Sequence, residues 1–285
     1  MREYNVLSLG AGVQSTALYL KFQRGEMPVQ LDAAIFADTQ EEPRAVYEHL
    51  EWLKSLNGPP ILTGTAGKLG DDLIAGRNST GGRFASIPAF TTIDGGKTVG
   101  ITRRQCSKEY KTEVIGKVLR REVLGLKPGQ HVPRGVLVHQ NIGISLDEAG
   151  RAVRMERNVP PPKYIKRQFP LIDQLITRAN CKSELAGQVP HETPRSACTF
   201  CPYHDDYEWN RLKTEDASGW QRAVEVDRRL RETGSVVNRD MAQTMYLHRS
   251  CKPLDLVQLN PQPPASRAVQ LQMNFAAECE GMCGL

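Results

Sequence analysis

The chain has 285 residues, with 37 Lys and Arg against 32 Asp and Glu for a net charge of +5, and its 40% apolar content is that of an ordinary globular protein. That composition excludes a disordered or collagen-like chain, and no run of about 18 apolar residues exists to span a bilayer. The length suits one large α/β domain or one domain plus a smaller lobe. With no apolar signal-like core after Met1, the expected location is the cytoplasm.

Asn5 to Leu9 is a short apolar run that breaks at Gly10-Ala11-Gly12 and reads as a strand. A helical pattern follows, with Ala17, Leu18, Leu20 and Phe22 on its core face and Gly25 near its end. Leu31 to Ala37 reads as a second buried strand, ending in Asp38-Thr39-Gln40-Glu41-Glu42. Pro43 falls early in the next helix, where its missing N–H costs little, and Val46, Leu50 and Leu53 follow at helical spacing. Asn57-Gly58-Pro59-Pro60 stops that helix, and Ile61-Leu62-Thr63 reads as a third strand. Such alternation predicts an α/β fold, a parallel sheet with helices on both faces.

Residues 76–100, rich in Gly, Ser and Thr, read as a long functional loop. Glu113 to Leu124 is an amphipathic helix, and Gly135 to Gly143 supplies another strand. Residues 151–167 hold six Arg and Lys against one Glu and include Pro160-Pro161-Pro162, so they read as an exposed basic loop. After about residue 180 the chain becomes helical and cysteine-bearing, with Trp209, Leu212, Trp220, Val224 and Leu230 as packing residues. The expected organisation is an α/β domain over 1–180, a helical cysteine-bearing lobe over 181–260 packed on it, and a linker and tail over 261–285.

Seven cysteines are the informative anomaly, because a reducing compartment does not favour disulfides. Two pairs are close in sequence, Cys198-x-x-Cys201 and Cys279-x-x-x-Cys283, and such spacing points to a metal, an iron–sulfur cluster or redox chemistry. Cys181 is expected to be a small core residue. Cys198 and Cys201 make half of a four-coordinate site. Cys106, beside Arg103, Arg104, Lys108 and Lys111, and Cys251, within His248-Arg249-Ser250-Cys251-Lys252, are the candidates for the other half. Their cationic neighbours could offset the charge of four thiolates.

Strand, then Ser8-Leu9-Gly10-Ala11-Gly12-Val13-Gln14-Ser15-Thr16, then helix is an arrangement that holds an anion. Glycines let the backbone approach phosphate, and a helix N-terminus offers unpaired N–H groups. It is neither a Walker A loop, lacking Gly-Lys-Ser/Thr, nor a dinucleotide fingerprint, lacking a third Gly at position 15. Asp38-Thr39 ends the second strand at the same carboxyl edge, where ligands of open α/β sheets bind.

These residues resemble the adenine-nucleotide alpha-hydrolase or PP-loop superfamily, in its phosphoadenosine phosphosulfate reductase-like branch. The family's Ser-Gly-Gly-x-Asp-Ser-Thr loop falls on Gly10 to Thr16, and Phe36-Ala37-Asp38-Thr39 is similar to its adenine-site segment. Arg104-Gln105-Cys106-Ser107-Lys108-Glu109-Tyr110-Lys111 is similar to its Cys-x-x-x-Tyr-Lys stretch, and Phe169-Pro170-Leu171-Ile172 to its aromatic-Pro-Leu-Ile segment. The resemblance implies an adenine-nucleotide site at Ser8, Gly10, Ala11, Gly12, Gln14, Ser15, Thr16, Asp38, Thr39 and Lys111, with Arg151 and Arg154 as nearby anion contacts. One departure stands out. The family's acidic loop residue is Gln14 here, which can hydrogen-bond a phosphate or a hydroxyl but brings no charge for Mg²⁺. Asp38 and Glu41 remain as metal ligands or as solvated loop acids.

The resemblance also implies a 4Fe–4S cluster on Cys106, Cys198, Cys201 and Cys251, with structural Zn²⁺ on the same four as the alternative. The tail Glu278-Cys279-Glu280-Gly281-Met282-Cys283-Gly284-Leu285 is similar to the Glu-Cys-Gly tail of sulfonucleotide reductases, making Cys279 and Cys283 candidate catalytic or sulfur-carrying thiols. Three functions are then expected. The first is ATP-dependent sulfur transfer to a nucleic acid (tRNA or DNA) or a small molecule, served by a cysteine desulfurase or thioredoxin-like reductant. The second is a thiol-dependent sulfonucleotide reductase that releases sulfite, and the third a non-catalytic nucleotide- and metal-binding module.

Overall fold

In strand β1 (Arg2–Leu9) successive side chains face opposite sides of the sheet, and both sides are apolar. Leu7 and Leu9 enter one core, while Tyr4 and Val6 enter another. A strand of that kind must be covered twice. In the computed structural model, which describes residues 2–77, 87–93, 98–102, 104–232 and 243–262, it lies in the middle of a five-stranded parallel sheet.

The other strands are β2 (Ala33–Asp38), β3 (Ile61–Thr65), β6 (Val136–Ile142) and β7 (Ile165–Gln168), in the order β3-β2-β1-β6-β7. Register pairs Val6 with Ala33 and Gln140, and Ala34 with Ile61. Helices α1 (Val13–Gln23), α2 (Arg44–Ser55), the short α6 (Pro170–Asp173) and α7 (Arg178–Leu185) pack on the face that holds Leu7 and Leu9. Helix α4 (Glu113–Val118) covers the other face through Val114, Ile115 and Val118. Every residue of α1 from Val13 to Leu20 is buried, more than the single apolar stripe in its sequence requires. The helix is enclosed because α2 and α7 share its side of the sheet.

Two stretches differ from their sequence-based readings. Part of residues 76–100 is strand: β4 (Phe90–Ile93) pairs antiparallel with β5 (Thr98–Ile101) and with β8 (Met245–Tyr246). The β8 partner comes from about 150 residues later in the chain, so no local pattern signals it. Residues 151–167 are not an exposed basic loop. Helix α5 (Ala149–Asn158) places Ala152 and Met155 one turn apart against Ile142 and Ile144, and β7 adds the fifth strand. Arg and Lys carry long apolar stems, so a basic composition is compatible with either element.

A further core joins α3 (Leu69–Ile74), α8 (Asp206–Glu215) and α9 (Ala217–Arg231) with β8, around Trp209, Phe200, Leu230 and Tyr110. Cys106 and Cys198 pack against its edge. Arg222 on α9 ties it to the segment after β2 by gripping both carboxylate oxygens of Glu41, at 2.8 to 3.3 Å. Cys181 lies fully buried in the core beneath α1, as expected of a packing residue.

Candidate functional site

The strand order reverses between β1 and β6, and the loops leaving those strands at their carboxyl ends open a crevice. The β1–α1 loop is folded around Ser15, whose Oγ accepts from the N–H groups of Gly10 and Gly12 at 3.2 and 3.3 Å. Ala11 holds φ +56, a left-handed conformation costly for a side chain and common at functional loops. Gln14, in the first turn of α1, is fully buried and spans the crevice. Its Nε2 donates to Glu148 Oε2 at 2.9 Å and to Ser145 Oγ at 3.3 Å, both beyond β6. Its Oε1 accepts from Arg178 Nη1 at the start of α7. Arg151 Nη1 donates to the same Glu148 carboxylate at 3.1 Å. Gln14 thus bridges the Arg178 guanidinium and the Glu148 carboxylate, and Arg151 binds the same carboxylate.

Two predicted loop residues turn elsewhere. Ser8 accepts from Gln140 Nε2 at 3.0 Å within the sheet. Thr16 Oγ1 lies 2.8 Å from His49 Nε2, whose Nδ1 lies 2.8 Å from His191 Nε2. Burial, and after it the neighbouring His191, push the His49 pKa down to about 3, so the ring is neutral at ordinary pH. Arg154 is exposed on α5.

The thiols gather one strand over. Cys106, Cys198 and Cys201 line a pocket of ≈ 30 Å³ together with Thr39, Arg104 and Lys111. Cys201 N–H donates to Cys198 O at 2.9 Å, so the two cysteines flank a tight turn. His204 Nε2 lies 2.9 Å from the same carbonyl, and Arg104 lies 4.3 Å from the centre of the Tyr203 ring. Thr39 Oγ1 lies 3.2 Å from Cys198 Sγ and donates to Glu42 Oε1 at 3.2 Å. Lys111 Nζ donates to that same Glu42 oxygen at 3.1 Å, an ion pair with both side chains almost wholly buried.

Cys251 is not among the residues lining this pocket. It is half-buried at φ +51, with its N–H donating to His248 O, and burial raises its thiol pKa. Cys279 and Cys283 lie outside the described residues. Among the described residues, no three His, Cys, Asp or Glu side chains draw together as a metal-binding group. The donor chemistry of the pocket, three sulfurs beside two cations, nonetheless suits thiolate chemistry or a thiolate-held group.

The acids after β2 divide their roles. Asp38 Oδ1 accepts from Tyr47 OH at 2.9 Å and from Gln40 N at 2.7 Å. Glu41 is buried against Arg222 and accepts from Gly70 N at 3.1 Å, so it is not a solvated loop acid. Sequence reasoning passed over Glu42, His49, Glu148 and Arg178. Glu42 follows an equally acidic neighbour, and only the inward turn after β2 separates the two. Glu148 stands three residues before Arg151, an expected anion contact, whereas Arg178 carries no local signal because its partner is 164 residues away.

Of the six basic residues in 151–167, Arg151 and Arg167 are buried, leaving Arg154, Arg157, Lys163 and Lys166 exposed. No helix among the described residues is long and apolar enough to cross a membrane. Comparison with protein-family models, with curated proteins and with solved structures gives no match for this chain.

Proposed function

We propose that this chain is an adenine-nucleotide-binding enzyme of sulfur metabolism with the PP-loop form of the α/β fold and a cysteine-bearing helical lobe. In the proposed reaction an oxygen of a nucleic acid or small molecule attacks the α-phosphorus of ATP and pyrophosphate leaves. A sulfur nucleophile then displaces AMP, so that sulfur stands where oxygen was. One observation carries this reading. Thr39, at the carboxyl end of the strand beside β1, lines the pocket of Cys106, Cys198 and Cys201, so the nucleotide edge and the thiols adjoin.

In this scheme the N–H groups of Gly10 and Gly12 turn from Ser15 to phosphate oxygens, and Ala11 holds the turn that presents them. Gln14 donates without charge, while Arg151 and Arg178 supply the positive field around it. Lys111 and Thr39 orient the Cys198 thiol. A 4Fe–4S cluster, with Zn²⁺ as the alternative, would be held by Cys106, Cys198 and Cys201 with Cys251 and would supply sulfide or a polarised thiolate. Cys279 and Cys283 form a sulfur-carrying arm, recharged in the cytoplasm by a cysteine desulfurase or thioredoxin-like partner.

A sulfonucleotide reductase is the second reading, favoured by the neutral Gln14 held by Arg178, with Arg151 on the adjoining Glu148, which suits an anion bound without Mg²⁺. Incubating the chain with ATP and an acceptor, or with phosphoadenosine phosphosulfate and a thiol, separates the two. Pyrophosphate and AMP support sulfur transfer, sulfite supports reduction, and nucleotide binding with no product leaves a non-catalytic module. Removing residues 277–285 should abolish turnover and spare nucleotide binding; unchanged turnover rejects the catalytic arm.

A further inference from the structure

A parallel sheet covered on both faces is expected to be apolar on both. On the α1 side this holds for Leu7 and Leu9 but fails at Glu3 and Asn5, earlier in β1, and across β6 and the edge strand β7. There Glu3, Asn5, His139, Asn141 and Gln168 share one face and form the floor of a cavity of ≈ 330 Å³. Register sets Asn5 beside His139 and Asn141 beside Gln168. Polar residues where packing calls for apolar ones mark a site with another task. The volume is at the lower end of small-molecule sites, and its lining shares no residue with the β1–α1 loop, with Ser145 and Glu148, or with the thiol pocket. This cavity is therefore separate from the crevice at the carboxyl edge.

The hydrogen bonds inside the cavity determine which chemistry is left over. Nε2 of His139 lies 3.0 Å from a carboxylate oxygen of Glu3, so that nitrogen carries the proton. Nδ1 must then accept, and Gln168 Nε2 donates to it at 3.1 Å. Asn141 directs its Nδ2 to Val6 O at 3.2 Å. Those donors are engaged within the protein, and Asn5 and Gln174 add amides that can donate or accept. The permanent charge of the lining is negative: the carboxylates of Glu3 and Asp173 stand beside the acceptors Gln168 Oε1 and Asn141 Oδ1, and no Lys or Arg lines the cavity. Phe22, Met27, Val29 and Pro170 provide an apolar wall over this floor, with Val29 44% exposed at the mouth.

We propose that this cavity binds a small organic cation, a protonated amine or guanidinium carried on a compact apolar body. The cationic head donates to Gln168 Oε1 and Asn141 Oδ1, the carboxylates of Glu3 and Asp173 balance its charge, and the body lies against Phe22, Met27 and Pro170. The site is independent of the proposed sulfur chemistry and needs no nucleotide.

Isothermal titration of the full chain with phenethylamine and with agmatine tests the assignment, using 3-phenylpropionate as the acidic counterpart of the first. At least one amine should bind saturably at a single site, 3-phenylpropionate should not bind at the same concentrations, and ATP should not compete. The Glu3→Gln/Asp173→Asn double variant, altered at exposed side chains, should bind the amine at least about tenfold more weakly. Val29→Trp, at the mouth, should block binding while leaving the unfolding temperature unchanged. Failure of both amines to saturate at millimolar concentration overturns the proposal, as does equal binding of the acid or wild-type affinity in both variants.

Discussion

Glu42 and Lys111 place two opposite charges where neither reaches water, 69 residues apart in the chain. Their separation removes any helical or hairpin signature, so each appears in the sequence as one acid or one base among many. Removing one partner strands the other charge in the interior. Lys111→Met should lower unfolding free energy by about 3–5 kcal/mol, with Glu42→Gln in the same chain restoring most of it; urea denaturation of the two variants measures this. His49 gives a pH signature. The unfolded chain takes up a proton at this ring near pH 6.5, and the folded chain refuses it until near pH 3. Its contribution is therefore complete above about pH 6.5 and is lost as pH falls, by up to about 1.4 kcal/mol per unit. Denaturant midpoints on both sides of pH 6.5 should show this slope, and His49→Gln should flatten it. Gln14 stood out in sequence through what it replaces, but its tie to Glu148 and Arg178 joins three separate segments.

At the scale of elements, strands β1, β2, β3 and β6 and helices α1, α2 and α4 were legible because each carries its own period or apolar run. Helix α5 and strand β7 were not. Their basic residues outweigh a short apolar signal, and Ala152 and Met155 become core only where Ile142 and Ile144 stand beneath them. The approach of β3 to α4 also has no local sign beyond one glycine. A Cβ on Gly64 would run into the Val118 methyl and stand 3.0 Å from that of Val114. Gly64→Ala should therefore cost about 1–3 kcal/mol, read as a lowered thermal midpoint with the far-ultraviolet spectrum unchanged.

Across the whole molecule, the sheet organises three places: the crevice between the β1 and β6 loops, the thiol pocket beside β2, and the polar cavity on the α1 side of β1, β6 and β7. The basic surface is smaller than composition implied, because Arg151 and Arg167 turn inward. Under the proposed function, replacing Arg157, Lys163 and Lys166 with Gln should weaken binding to a tRNA or DNA acceptor. The slope of log K against log salt should flatten by about 0.9 for each duplex phosphate that is no longer neutralised, with ATP binding unchanged. An unchanged slope in a filter-binding salt titration removes this face from acceptor binding.

By itself the sequence determined the α/β class, the glycine-bearing turn after β1, the carboxyl edge as the place for Asp38 and Thr39, and the pairing of Cys198 with Cys201. All of these are written in residues close together, where periodicity, turn chemistry and spacing act over a few positions. The tertiary structure decided which distant groups meet: Cys106 with the Cys198 turn, Glu42 with Lys111, Gln14 with Arg178, and Glu3 with His139 and Gln168. Ion pairing and hydrogen bonding act over about 3 Å, whereas sheet order brings together residues separated by tens to hundreds of positions. That is why seven cysteines could be counted in the sequence, and only folding brings three of them into one pocket while placing Cys181 in the core and Cys251 outside the pocket lining.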